Sequence, residues 1–215
     1  MKRVIVGAGA QGRVVLENWR AQHPESEFVF VDDDAELLGE ELLGARVVAP
    51  VSALPSLGGE VVIGIGNNET RMELARAWDG KVTWGRVAHP SSVIMPSAIL
   101  GPGSVVFAGC VVNTEARVGA HAIVNTGVIV EHDCVLGDGA SVSPGARMGG
   151  RVHIGAGAFI GTGVTLAPRV VVGDGAVVGA GAAVVRDLPP RVLAYGVPAR
   201  AVRNLDAGMD WRKLL

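Results

Sequence analysis

A chain of 215 residues holds one large or two small domains, and a formal net charge of −2 removes any electrostatic case for nucleic-acid binding. Aromatic residues make up only 4% while glycine occurs 31 times, which points to repetitive packing of small side chains rather than an ordinary mixed core. No apolar run approaches the roughly 20 residues of a membrane span, MKRVIVGAG turns to glycine too soon for a signal peptide, and two cysteines make no disulfide framework, so a cytoplasmic location is expected.

Residues 1–88 alternate strand and helix. RVIVGA reads as a strand, Gln11 to about Arg20 as a helix, EFVFVDDD as a strand ending in acids, EVVIGIGNN as a later strand, and ETRMELARAW as a helix. Apolar strands separated by helices predict a mainly parallel, Rossmann-like sheet covered on both faces. Ligands of such sheets bind at the carboxyl ends of the strands. Those ends carry Gly7–Gly12, Asp32–Asp34 and Gly64–Asn68, and all three are expected to face one crevice. Gly7, Gly9 and Gly12 fit the G-x-G-x-x-G pattern of dinucleotide enzymes, with Asp32 twenty residues beyond Gly12. The segment is short for two βαβαβ halves, which argues against NAD.

From Ile94 to Val184 every sixth residue is aliphatic or Met, and four residues after each stands a small one, from Ala98 to Ala182. A period of six fits neither helix nor alternating strand; it is the hexapeptide repeat of a parallel β-helix. Three hexapeptides make one triangular rung, and successive rungs stack about 4.8 Å apart. The large residue fills the interior, the small one fits a corner, and the glycine that often follows the large residue is expected to take up awkward backbone angles. The ends of such a stack need covers. The N-terminal domain is expected at one end and residues 190–215 at the other, giving domains 1–88, 89–189 and a tail. Cys110 and Cys134 fall in the small column as filler.

The repeat packs no histidine inside, so His121, His132 and His153 are expected to point outward, with His89 at the domain boundary. His132 stands between Glu131 and Asp133, and either carboxylate could orient it. Eighteen residues on comes Gly150, in ARMGGRVHIG, one rung away on the same edge. A base beside a bare amide supplies the parts for acyl transfer.

The C-terminal half resembles the left-handed β-helix acyltransferases, and the whole chain resembles the two-domain sialic-acid O-acetyltransferase-type family. That family includes bacterial N-acetyltransferases of UDP- or GDP-linked 4-amino-4,6-dideoxy sugars. The motifs are VGAGAQGRVV, FVDDD, GIGNNETR, AHPSS, VNTGVIVEHDCVLGDGASVSPGARMGGRVHIG, FIGTG and YGVPAR, from residue 4 to about 200. The resemblance implies acetyl-CoA as co-substrate, no metal, and a homotrimer with active sites between subunits. It implies His132 as general base oriented by Asp133, and the Gly150 amide as oxyanion donor. The coenzyme would lie near Gly150, Thr162 and Ala180, with Pro198 and Arg200 at its nucleotide end. The nucleotide sugar would meet Gly9, Gln11, Gly12, Asp32, Asp33, Gly66 and Asn67. Three positions depart from the pattern: relatives often carry His at Gln11 and Ser141, the latter touching acetyl-CoA in some, and Gly at Ala180.

Three other readings compete. O-acetylation of a sugar hydroxyl needs the same base. A zinc carbonic anhydrase of this fold needs three converging histidines, which His121, His132 and His153 do not offer by position. A non-catalytic nucleotide-sugar-binding trimer would have no use for the His132–Gly150 pair. None of the motifs distinguishes UDP from GDP or dTDP.

Overall fold

The computed structural model describes residues 1–206. Strands β1 (Lys2–Val6), β2 (Glu27–Val31), β3 (Glu41–Leu42), β4 (Ala45–Ala49), β5 (Glu60–Ile63) and β6 (Thr83–Trp84) form one sheet in the order β3-β4-β2-β1-β5-β6. All pairs are parallel except the β3–β4 hairpin. Its two connecting residues, Leu43 and Gly44, both lie at positive φ, as a type I′ turn requires. Nothing in the apolar spacing of ELLGARVVA announces that hairpin. Helix α1 (Ala10–Gln22) buries Gly12, Val15, Leu16 and Trp19. A single short turn, α2 (Leu54–Leu57), precedes β5, and α3 (Asn68–Trp78) follows it. Because β1 lies between β2 and β5, the order reverses beside β1, which is where such sheets bind ligands.

From Val87 onward, two-residue strands recur every six residues. Each pairs in parallel with the strand eighteen residues away, as in Val105↔Ile123, Val111↔Ile129 and Arg117↔Val135. Three flat faces result. Face I starts at Val87–Ala88, face II at Val93–Ile94 and face III at Ile99–Leu100. The expected boundary after residue 88 falls just behind the first of these strands. The second residue of each strand points inward, and from Val106 to Val184 all are buried, with the small column buried beside them. Together these make a left-handed parallel β-helix.

The glycines that follow the large residue have a different role from the one expected. Gly101, Gly119 and Gly137 are not at positive φ; a Cβ on them would come within 2.5–2.7 Å of the next rung's backbone. Positive φ instead falls two residues later, at Gly103 and Gly139.

The N-terminal domain packs on the side of the prism rather than on its end. Leu16 and Trp19 of α1 share a core with Val87, Val105, Phe107 and Ile123 of face I. From α3, Asn68 Nδ2 donates to the Gly157 and Ala158 carbonyls, two rungs further along. The outer residues of face I are mostly apolar, so burying them against α1 stabilises the pair of domains. At the far end Leu188, Val192, Ala194 and Ala199 join the prism core. Val192–Tyr195 extends face I in parallel, and Arg200–Asn204 returns antiparallel to it. The remainder of the tail, with Trp211, lies outside the described residues.

His121 points away from the prism interior but not into solvent. The domain covers it to 5% exposure, with Trp84 edge-on at 4.6 Å between ring centroids. Burial, and then the charge of Arg71, push its pKa down to about 4, against the pull of Asp138 and Asp79. The unfolded chain takes up a proton below about 6.5 that the folded chain refuses until about 4. Stability therefore falls as pH drops through that window, by up to about 3 kcal/mol. Thermal midpoints recorded from pH 7 to 4.5 are expected to fall less steeply in His121→Asn than in wild type; equal slopes would remove His121 as the cause. Asparagine suits the site because φ there is +55°.

Both cysteines are fully buried, and burial pushes their thiols above the usual range. A thiol reagent is expected to find no fast-reacting group in the native protein and two per chain after denaturation.

Candidate active site

His132 sits in the turn 131–134 that joins face II to face III. Its Nδ1 is 2.8 Å from Asp133 Oδ2, and the two side chains are 53% and 45% exposed. Glu131 does not touch the ring. Its carboxylate accepts from the His132 backbone N–H and from Asn113 Nδ2 of the preceding rung. The hydrogen bond from His132 and the nearby Arg151 hold the Asp133 carboxyl below the usual carboxylate range. An ionised carboxylate only accepts, so the proton belongs on Nδ1 and the Nε2 lone pair is left free. Arg151 Nε approaches the same Asp133 oxygen at 3.5 Å from the next rung.

Gly150 lies directly beneath the imidazole. The Arg151 N–H donates to the His132 carbonyl at 2.9 Å, which fixes the two turns on adjacent rungs. A Cβ on Gly150 would sit 2.4 Å from His132 Nε2, so only glycine leaves the ring its place. Gly149 has a separate reason, since a Cβ there would strike Pro168 at 2.8 Å. On the neighbouring rungs the residue before the turn caps the next amide: Asn113 caps Thr114 and Glu131 caps His132. Gly149 has no side chain to do so. Among the described residues the Gly150 N–H therefore has no acceptor, while the Gly149 N–H is spent on Leu166. Of the glycine pair, one amide is available.

Backbone strain singles out the same edge. At the other two edges the left-handed position of the turn is glycine except at His121 and, in the last turn, Arg191. On the His132 edge it is Glu115, Asp133, Arg151 and Arg169, all between φ +58° and +66°. A non-glycine residue there costs about 1–2 kcal/mol, and such strain collects at functional sites.

The other anticipated residues lie elsewhere. Thr162 and Ala180 are exposed on the edge between faces I and II, where the Gly181 N–H donates to the Thr162 carbonyl. The loop 196–199 joins them, because Gly196 and Ala199 bond to Ala183 on both sides. Pro198 and Arg200 are exposed there. One chain therefore brings together Thr162, Ala180, Pro198 and Arg200, and separately His132, Asp133 and Gly150, on two different edges. His121, His132 and His153 occupy different columns and do not converge. Ser141 does not face the His132 edge at all; it is buried under α3, donating to Asn68 Oδ1 and accepting from Arg71.

At the sheet crevice, the loops after β1, β2 and β5 meet. A Cβ on Gly12 would lie 1.9 Å from the Gly7 carbonyl oxygen, so this glycine allows α1 to close on β1. Gly9 and Gly66 are open, with nothing within 4 Å of where a Cβ would be. Asp32 is engaged by the Ala8 and Asp34 amides and Asp33 by the Val51 amide, so both carboxylates first serve to order the loops. Asn67 caps α3 through the Thr70 N–H. Gln11 buries its Nε2 with no partner among the described residues. No helix among the described residues is long and apolar enough to cross a membrane.

Comparison with known proteins accords with this layout. Residues 2–78 match the family described as PglD N-terminal domain, and residues 151–186 match the bacterial transferase hexapeptide. No curated protein sequence matches. Among solved structures, the acetyltransferase domain of PglB from Neisseria gonorrhoeae, in complex with acetyl coenzyme A, is 35% identical with a TM-score of 0.89, covering 94% of this chain and 98% of that one. PerB from Caulobacter crescentus, in complex with CoA and GDP-perosamine, is 37% identical with a TM-score of 0.86, covering 94% and 98%. WeeI from Acinetobacter baumannii is 30% identical with a TM-score of 0.85, covering 94% and 100%. The match runs through both domains, and the chain belongs to the hexapeptide-repeat acetyltransferase family with a PglD-type N-terminal domain.

Proposed function

We propose that this protein transfers the acetyl group of acetyl-CoA to the 4-amino group of a nucleotide-linked 4-amino-4,6-dideoxy sugar. The observation that carries the reading is the His132 imidazole, oriented by Asp133 and seated over the unpaired Gly150 amide. The complexes of PglB with acetyl coenzyme A and of PerB with CoA and GDP-perosamine support the two substrates. The sugar amine attacks in its neutral form. His132 Nε2 accepts the proton that the amine sheds as the C–N bond forms. The Gly150 N–H stabilises the oxygen of the tetrahedral adduct, a contribution of about 3–4 kcal/mol in comparable sites. When the C–S bond breaks, the imidazolium returns its proton to the departing thiolate.

The layout of the prism favours a homotrimer. The His132 edge is opposite face I, on which the chain's own N-terminal domain sits, and differs from the edge of Thr162 and Ala180. A second copy brings its coenzyme edge and sugar crevice to the first copy's His132. Gly9, Gln11, Gly12, Gly66 and Asn67 then line the sugar-nucleotide side, where the uncapped N-terminus of α1 favours an anion. Cytoplasmic placement accords with two buried, unpaired cysteines.

The test is release of CoA thiol on mixing the protein with acetyl-CoA and UDP-, GDP- or dTDP-linked 4-amino-4,6-dideoxy sugars. Rapid release with one of them establishes the reaction and the nucleotide. Release only with hydroxyl acceptors would replace N- by O-acetylation, and release with none would reject the transferase reading.

A further inference from the structure

The residues of α3 that face inward are Asn68, Arg71 and Ala75, one helical stripe. Arg71 is 1% exposed, yet it has no carboxylate partner among the described residues. Its guanidinium is solvated by neutral oxygens alone. Nε donates to the His121 carbonyl at 2.8 Å. Nη2 donates to Asn68 Oδ1, the Gly139 carbonyl and Ser141 Oγ. Nη1 donates to the carbonyls of Ile65 at 2.8 Å and Gly66 at 3.3 Å. Burial lowers its pKa to about 10, which still leaves it a cation at neutral pH. An unpaired buried charge costs folding free energy that an apolar residue at this interface would not. Domain docking alone does not explain its presence.

The two carbonyls on Nη1 suggest what the charge does. In a trans peptide the C=O and the following N–H point in opposite directions. With the Ile65 and Gly66 oxygens drawn inward, the N–H groups of Gly66 and Asn67 must point outward. Neither has an acceptor among the described residues, and Gly66 is exposed with open space around it. Successive outward amides form a concave anion site. Behind them the cation, the carbonyls and the amides line up as head-to-tail dipoles, so the buried charge is felt at the crevice.

We propose that Arg71 is a positioning residue for the substrate's diphosphate: it orients and polarises the Gly66 and Asn67 amides that receive the anion. This rests on the nucleotide-sugar reading of the crevice given above. Through Gly139, Ser141 and His121 the same side chain fixes that loop to the β-helix, so the anion site is held in register with the prism.

Binding of UDP, GDP and dTDP, and of uridine, guanosine and thymidine, can be measured by calorimetry and ligand-observed NMR on the full chain. Wild type, Arg71→Met and Arg71→Lys are compared. For the nucleotide that wild type prefers, Arg71→Met is expected to weaken diphosphate binding at least tenfold and leave the parent nucleoside unchanged. Arg71→Lys keeps the charge but loses the fork, and is expected to weaken the diphosphate at least threefold. If Arg71→Met does not fold, the lysine variant decides. Unchanged diphosphate affinity, or equal losses for diphosphate and nucleoside, would overturn the role of Arg71 while the crevice assignment stands. Failure of wild type to bind any of the diphosphates would overturn the crevice assignment and this inference with it.

Discussion

His132→Asn is expected to lower kcat by about 10²–10⁴-fold, the usual range for losing a general base, with little change in thermal midpoint. The side chain is half exposed, and among the described residues its ring bonds only to its neighbour Asp133. The backbone of the turn is held independently, by Glu131 on the His132 N–H and by Arg151 on its carbonyl. Asparagine can reach Asp133 as Nδ1 does, but it accepts no proton at neutral pH. Steady-state rates at saturating acetyl-CoA, with thermal melts on the same samples, separate chemistry from folding. If kcat survives the substitution, proton removal belongs to another group or to solvent, and His132 loses its role.

Gly150→Ala is expected to be nearly as damaging to activity while costing little stability. The added Cβ would overlap His132 Nε2 at 2.4 Å and Cε1 at 2.6 Å. The three nearest atoms, out to 3.1 Å, all belong to the imidazole, so the ring, the free end of a half-exposed side chain, swings aside. That relieves the clash cheaply but removes the base from above the amide. Misplacement of about 1 Å in such a constellation costs on the order of 10²-fold. The variant tests the pair as a pair. Combined with His132→Asn, the second change should add much less than it costs alone. Full additivity, or an active Gly150→Ala enzyme, would mean that the imidazole and the amide do not act on the same atoms.

The fold is legible because the period of six is long and regular, and the alternation of strand and helix before Val87 follows ordinary rules. Pairing at eighteen residues follows at once, and with it the juxtaposition of His132 and Gly150. What stays hidden is tertiary. No spacing reveals that the N-terminal domain lies along face I, so His121 reads as an outward position when it is buried beneath Trp84, and Ser141, where relatives often carry a histidine, is buried beneath α3. Arg71 is legible in principle, since its place between Asn68 and Ala75 puts it on the buried stripe of α3. A charged residue on such a stripe is the available signal, and a reading of GIGNNETR as a ligand loop stops short of it. Glu131 and Asp133 cannot be separated from sequence, because the choice depends on which of two neighbouring residues takes the left-handed conformation and turns its carboxylate to the ring. Thr162 and Ala180 are eighteen residues apart, as are His132 and Gly150. Only counting the turns shows that the two pairs belong to different edges.

The eighteen-residue rung also sets which insertions and deletions this gene can tolerate. Removing six residues between His132 and Gly150 would preserve every local hexapeptide and its buried column. It would nevertheless rotate all later positions by one edge and carry the glycine amide away from the imidazole. Removing eighteen, from Asp133 to Gly150, would restore the edge but take the glycine with it and slide the C-terminal rungs one step along the axis, bringing Pro168, which has no N–H, under the histidine. Length variation is therefore confined to the turn tips and the two ends of the prism, and the spacing between this histidine and this glycine is as constrained as their identities.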